Sequence, residues 1–64
     1  MTQQSNLIGK QVSEARKRLA LSQAILAAMC QCKGWDLSRD ALARIESGVL
    51  GITGKEMDVL RHVL

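Results

Sequence analysis

The segment Leu37-Ser38-Arg39-Asp40-Ala41-Leu42-Ala43-Arg44-Ile45-Glu46-Ser47-Gly48 constrains the fold of this chain most tightly, because it carries its own start, its own stop and two opposed faces. Ser38 offers a side-chain oxygen to the first free amides of a helix, and Gly48 can adopt the left-handed conformation that ends one. Leu42 and Ile45 form one apolar stripe with Leu37 just ahead of the cap, which predicts a helix over about 39–47. Arg39, Asp40, Ala41, Ala43 and Arg44 fall on the other side, two guanidiniums among small neighbours.

The remainder reads as further helices around this one. The chain has 64 residues, enough for one domain and one small core that buries about 60% of the unfolded surface. Pro, Phe and Tyr are absent and Trp occurs once, while Leu, Ala, Ile, Val and Met recur at helical intervals. The expectation is an all-α bundle of four or five short helices. There is no apolar run of the ~18 residues a membrane span requires. Thr2, Gln3, Gln4, Ser5 and Asn6 give the start of the chain none of the basic-then-apolar pattern of a secretion signal, so the expected compartment is the cytoplasm.

The first helix is expected over about 7–19, capped by Ser5 or Asn6, with Ile8, Val12, Ala15 and Leu19 as its inner stripe. Arg16 borders that stripe. Its guanidinium either turns inward to a partner, for which Glu46 is the candidate, or snorkels to solvent. A second helix over about 23–33 follows Ser22 as cap; Ala24, Ala27 and Ala28 keep it slim, and Ile25, Leu26, Met29 and Cys30 make its apolar surface broad. Its first turn, with the Gln23 side-chain amide, is either an ordinary solvated start or a cradle for a phosphate oxygen.

Gly34 suits a left-handed turn. Trp35 then either packs over that turn or stands out as an anchor for a partner, and Leu37 plugs the core. After Gly48, the run Val49-Leu50-Gly51-Ile52 is expected to be a loop pinned by its apolar side chains. Thr53 and Glu56 form a capping box for a fourth helix over about 54–64, with Met57, Leu60, Val63 and Leu64 inward. The chain stops while that helix is still apolar, which leaves room for a continuation or a partner over its end.

Nine Lys and Arg against six Asp and Glu give a formal charge of +3, a mild preference for a polyanion. Position says more than total. The cations gather at Lys10, at Arg16 to Arg18, and at Arg39 and Arg44. Either of the last two can donate both forks to a guanine edge, each such pair contributing roughly 1–3 kcal/mol of discrimination. Asp40 either accepts from cytosine or merely orients Arg39 or Arg44, and in the first turn it also complements the helix dipole.

Taken in order, Ile8-Gly9, Arg16, Leu21-Ser22-Gln23, Leu26-Ala27 and Leu42 to Gly48 resemble the phage repressor and Cro type of helix-turn-helix DNA-binding domain over nearly the whole chain. The resemblance implies that the helix over 39–47 enters the major groove of double-stranded DNA. It assigns Arg39, Asp40, Ala41 and Arg44, with Ser38 and Ala43 beside them, to the groove, Gln23 to a phosphate, and Arg16 with Glu46 to a structural ion pair. High specificity from so small a reader further implies a homodimer on half-sites about 34 Å apart, or a longer parent chain. Two departures bear on this. Ala27 to Ser38 spans eleven positions where the family has about six, which widens the turn. The loop after Gly48, often basic in the family, carries Val49, Leu50 and Ile52 here, which leaves Lys55 to grip phosphate on that side.

Enzymatic chemistry and cofactors are not expected. His62 is the only histidine, and Cys30 and Cys32, one residue apart, point in different directions along a helix with no further ligands near. Both thiols are expected to be buried in a reducing compartment, with redox sensing as the alternative. The competing function is a protein-interaction or dimerisation module that keeps the helix-turn-helix fold without reading DNA. Its support lies in the broad second helix, the apolar fourth helix and the uncharged loop.

Overall fold

Four helices follow the four amphipathic stretches: α1 (Thr2–Arg18), α2 (Gln23–Cys32), α3 (Arg39–Glu46) and α4 (Gly54–Val63). The structure, a computed structural model, describes the backbone of residues 2–64 and the side chains of residues 7–64; among them no strand occurs. None of the helices is long and apolar enough to cross a membrane.

The core draws on every helix: Val12 from α1, Leu26, Ala27 and Cys30 from α2, Leu42 and Ile45 from α3, Leu60 from α4, and Leu37 from the turn before α3. Leu26, Leu37, Leu42 and Ile45 are almost wholly removed from water, each such burial stabilising by roughly 2 kcal/mol. Ile8, Trp35, Ala41, Ile52 and Val59 close over this cluster. Trp35 is therefore a packing residue rather than a free-standing anchor. α3 packs against both α1 and α2, and α4 packs against α2.

Local chemistry sets the helix ends. Ser22, Ser38 and Thr53 each cap a helix through the side-chain oxygen, and Thr53 with Glu56 completes the capping box at 2.9 and 3.2 Å. Three helices end on the same stop. After α3, Gly48 is left-handed, its N–H bonds the Ile45 carbonyl, and the Val49 N–H reaches back to Arg44. After α2, Gly34 and Trp35 repeat this on Gln31 and Cys30. After α1 the left-handed residue is Ala20, with φ 58°, and the Ala20 and Leu21 N–H groups bond the Lys17 and Arg16 carbonyls at 3.0 and 3.1 Å.

Several expectations need correction. α1 begins at Thr2 rather than near Leu7, so Ser5 and Asn6 lie within it and do not cap it; nothing between Thr2 and Ile8 is a Gly or Pro that would stop a helix from extending. Leu19 lies beyond the end of α1 and is 48% exposed, because the Ala20 stop turns the chain before its side chain can join the stripe. Ile25 is 52% exposed, so only one side of α2, that of Leu26, Ala27 and Cys30, is covered. Cys30 is buried but Cys32, two residues on and therefore on another side of the helix, is exposed. Val49 and Leu50 stand in solvent, and Ile52 alone pins the loop to the core.

α1 and α3 approach unusually closely. At Gly9 a Cβ would collide with the backbone carbonyl oxygen of Ile45 and lie 2.9 Å from that of Glu46, so the absence of a side chain is what lets the two backbones meet.

Candidate nucleic-acid interface

The outward side of α3 is the candidate surface. Burial of Leu42 and Ile45 fixes the rotation of the helix, and Arg39, Asp40, Arg44 and Ser47 are consequently exposed, with half-buried Ala43 between them. Among the described residues neither Arg39 nor Arg44 has a carboxylate within salt-bridge distance. The two are five positions apart, about 140° around the axis, so their guanidiniums flank the face on opposite sides of Ala43. Ala41 does not belong to this surface. Four residues before Ile45 and one before Leu42, it borders the apolar stripe and packs against the core. Ser38 holds the N-terminal end, accepting the Ala41 N–H at 3.0 Å, and its own O–H remains a donor at the edge of the face.

Behind α3 lies a polar cluster that joins three helices. Arg16 Nε donates to Glu46 Oε2 at 2.7 Å and Nη2 to Oε1 at 3.0 Å, a two-pronged pair whose side chains are only 11% and 8% exposed. Arg16 Nη1 donates in addition to the Leu21 carbonyl at 2.8 Å, and Gln23 Nε2 to Glu46 Oε1 at 3.1 Å. Arg16 thus turns inward and does not snorkel. Burial alone would push the Glu46 carboxyl up, but hydrogen bonds from Arg16 and Gln23 and the arginine charge outweigh it and hold the group below the ordinary carboxylate value. Among the described residues no buried side-chain polar atom lacks a partner.

This cluster changes the reading of Gln23. At least one of its amide hydrogens is committed inward to Glu46, because the first turn of α2 lies beside the end of α3 rather than on an open flank. What the start of α2 offers outward is backbone: Ser22 Oγ takes the Ile25 N–H, and the Gln23 and Ala24 N–H groups precede the helix ladder. Lys55 is exposed in the first turn of α4, where it borders a shallow cleft with Lys33 and Trp35 next to the α2–α3 turn.

That turn is held by a contact which spacing did not reveal. Gln31 Nε2 donates to the Leu37 carbonyl at 2.7 Å, and the Leu37 N–H bonds the Trp35 carbonyl at 2.7 Å. The connection between α2 and α3 is therefore tied down at backbone level. In sequence a glutamine on a short helix reads as a solvated residue, so the only available signal was its position one turn ahead of Trp35.

A second concave surface lies between α1 and α4, an apolar groove of about 420 Å³ lined by Ile8, Val12, Met57, Leu60 and Leu64 with Gln11 and Arg61 at its rim. Met57 thus lines this groove rather than the core. No group of three or more His, Cys, Asp or Glu side chains among the described residues is arranged to hold a metal ion. Comparison with known proteins finds no family model that matches the chain, and no curated protein or solved structure that matches it.

Proposed function

We propose that this chain is a phage repressor or Cro-type helix-turn-helix domain that binds double-stranded DNA sequence-specifically and works as a cytoplasmic transcriptional regulator, not as an enzyme. The observation that carries the reading is the face of α3: two exposed guanidiniums, unpaired among the described residues, beside small side chains, on a helix capped at its start and anchored behind by Arg16, Glu46 and Gln23. A bare helix of this kind fits a groove about 12 Å wide, with Arg39 or Arg44 on guanine edges. Lys55 and the first amides of α2 take phosphates on either side. One copy of an eight-residue helix reads few base pairs, so specific binding uses two copies on paired half-sites, or further chain.

Selection of bound sites from a random duplex pool tests this directly. An enriched palindrome supports the reading, whereas a pool that stays random after several rounds refutes it. Affinity should fall steeply with salt, and the doubly substituted Arg39→Ala, Arg44→Ala chain should fold yet lose the selected site.

The groove between α1 and α4 favours a second reading, a protein-interaction module of the same fold. Salt-insensitive self-association without duplex binding would decide for it.

A further inference from the structure

α3 is tied to α2 at both of its ends by glutamine amides. Gln23, the first residue of α2, reaches Glu46, the last residue of α3, at 3.1 Å. Gln31, one residue before the end of α2, reaches the carbonyl of Leu37, which immediately precedes the Ser38 cap, at 2.7 Å. The two bonds run antiparallel, from the start of α2 to the end of α3 and from the end of α2 to the residue before the Ser38 cap, so α2 lies along α3 as a splint.

We propose that Gln23 and Gln31 are positioning residues that fix how α3 lies on DNA, and that Gln31 replaces the short turn as the device that sets its angle. This rests on the DNA-binding reading above. The burial of Leu37, Leu42 and Ile45 sets which face of α3 turns inward, but apolar contact has no preferred direction and resists small shifts along and about the axis only weakly. A hydrogen bond does have direction, and one at each end of a short rod removes both freedoms. The longer α2–α3 connection needs this: from Lys33 to Ser38 it has no helical ladder of its own, and the Gln31 amide fixes the carbonyl next to the cap. Misplacing the start of α3 would move Arg39 and Asp40 most, because they follow the cap directly. Base contacts, which depend on alignment, would then suffer more than phosphate contacts, which depend on charge.

Gln31→Met keeps the length of the side chain and removes its donor. Two measurements distinguish the outcomes: hydrogen exchange of the α3 amides, and affinity for the selected duplex against a scrambled duplex of equal length. The variant should exchange faster in the first turn of α3 with the α4 amides unchanged. Its preference for the selected duplex should fall about tenfold, the loss of one aligned base contact, while scrambled-duplex affinity and its salt slope stay within about twofold. Gln23→Met should act in the same direction from the other end. A Gln31→Met chain that keeps both its exchange pattern and its preference overturns the proposal and leaves the DNA reading intact. A wild-type chain with no preference among duplexes overturns both.

Discussion

Replacing Gly9 by alanine turns the close crossing of α1 and α3 into a measurable quantity. In an ordinary helix interior this change stabilises by about 0.5–1 kcal/mol, because alanine loses less backbone freedom on folding. Here the added methyl group would meet the Ile45 and Glu46 carbonyl oxygens, which belong to backbone and cannot rotate away. To restore van der Waals separation the helices must part by on the order of 1 Å, which forfeits a quarter to a half of the dispersion attraction across the contact. The same movement stretches the 2.7 and 3.0 Å bonds of Arg16 to Glu46, which span the same two helices. Overpacking of this kind costs about 1–3 kcal/mol, and the strained ion pair places Gly9→Ala at the upper end, a net loss of about 2 kcal/mol after the helix gain. Against the ~3–5 kcal/mol available to a domain of this size, the melting temperature should drop by roughly 10 °C or more. Gly54 is the internal control: it is also helical, but a Cβ there meets nothing within 4 Å. Gly54→Ala should be neutral or mildly stabilising. Thermal and urea unfolding followed by far-UV circular dichroism measures both, and a Gly9→Ala chain as stable as wild type would refute the close-crossing argument.

Ala20→Gly should stabilise by about 0.5–1 kcal/mol, since alanine at φ 58° bears a left-handed penalty that glycine does not; a lower urea midpoint would contradict this. Glu46 titrates below the ordinary carboxylate value, so its contribution is complete above the unfolded value near 4.3 and is lost as pH falls through the depressed folded one. Wild type should therefore lose stability on acidification more steeply than Glu46→Gln, and parallel stability curves from urea titrations between about pH 6 and 2.5 would count against the ion pair. A thiol reagent should modify Cys32 at once and Cys30 only as the fold opens, because burial both hides the Cys30 thiol and pushes its pKa up. Equal rates for the two would show that α2 is not packed as described.

The features legible in the sequence are those made by neighbours in the chain. Ser38, Gly48 and the Thr53–Glu56 box act over three or four residues, and the stripe of Leu37, Leu42 and Ile45 sets the rotation of α3, so the face with Arg39 and Arg44 could be read in advance. The stripe left Arg16 open between an inward partner and solvent, and it was the resemblance to repressor-type domains that pointed it to Glu46. What stayed hidden depends on distant parts meeting. Ala20 has no residue-type reason to be left-handed; the stop is closed by its own and the Leu21 N–H on the Lys17 and Arg16 carbonyls, and the Leu21 carbonyl is held by the Arg16 guanidinium that Glu46 turns inward. Gly9 looks like a weak helix residue until α3 lies against it. Gln23 and Gln31 look solvated until Glu46 and the Leu37 carbonyl arrive. Val49 and Leu50 misled in the opposite sense, because an apolar residue in a short loop need not find a pocket.

The stop at the end of α3 is made by main-chain atoms: the Val49 and Leu50 N–H groups both bond the Arg44 carbonyl, at 2.9 and 3.1 Å, while their side chains are 78% and 43% exposed. Architecture and chemistry are thereby uncoupled at these two positions. Almost any residue except proline can occupy them without disturbing the helix that precedes them. They form a dial beside the outward surface of α3, on which lysines would strengthen attraction to a polyanion and acids would weaken it, with the scaffold left as it is.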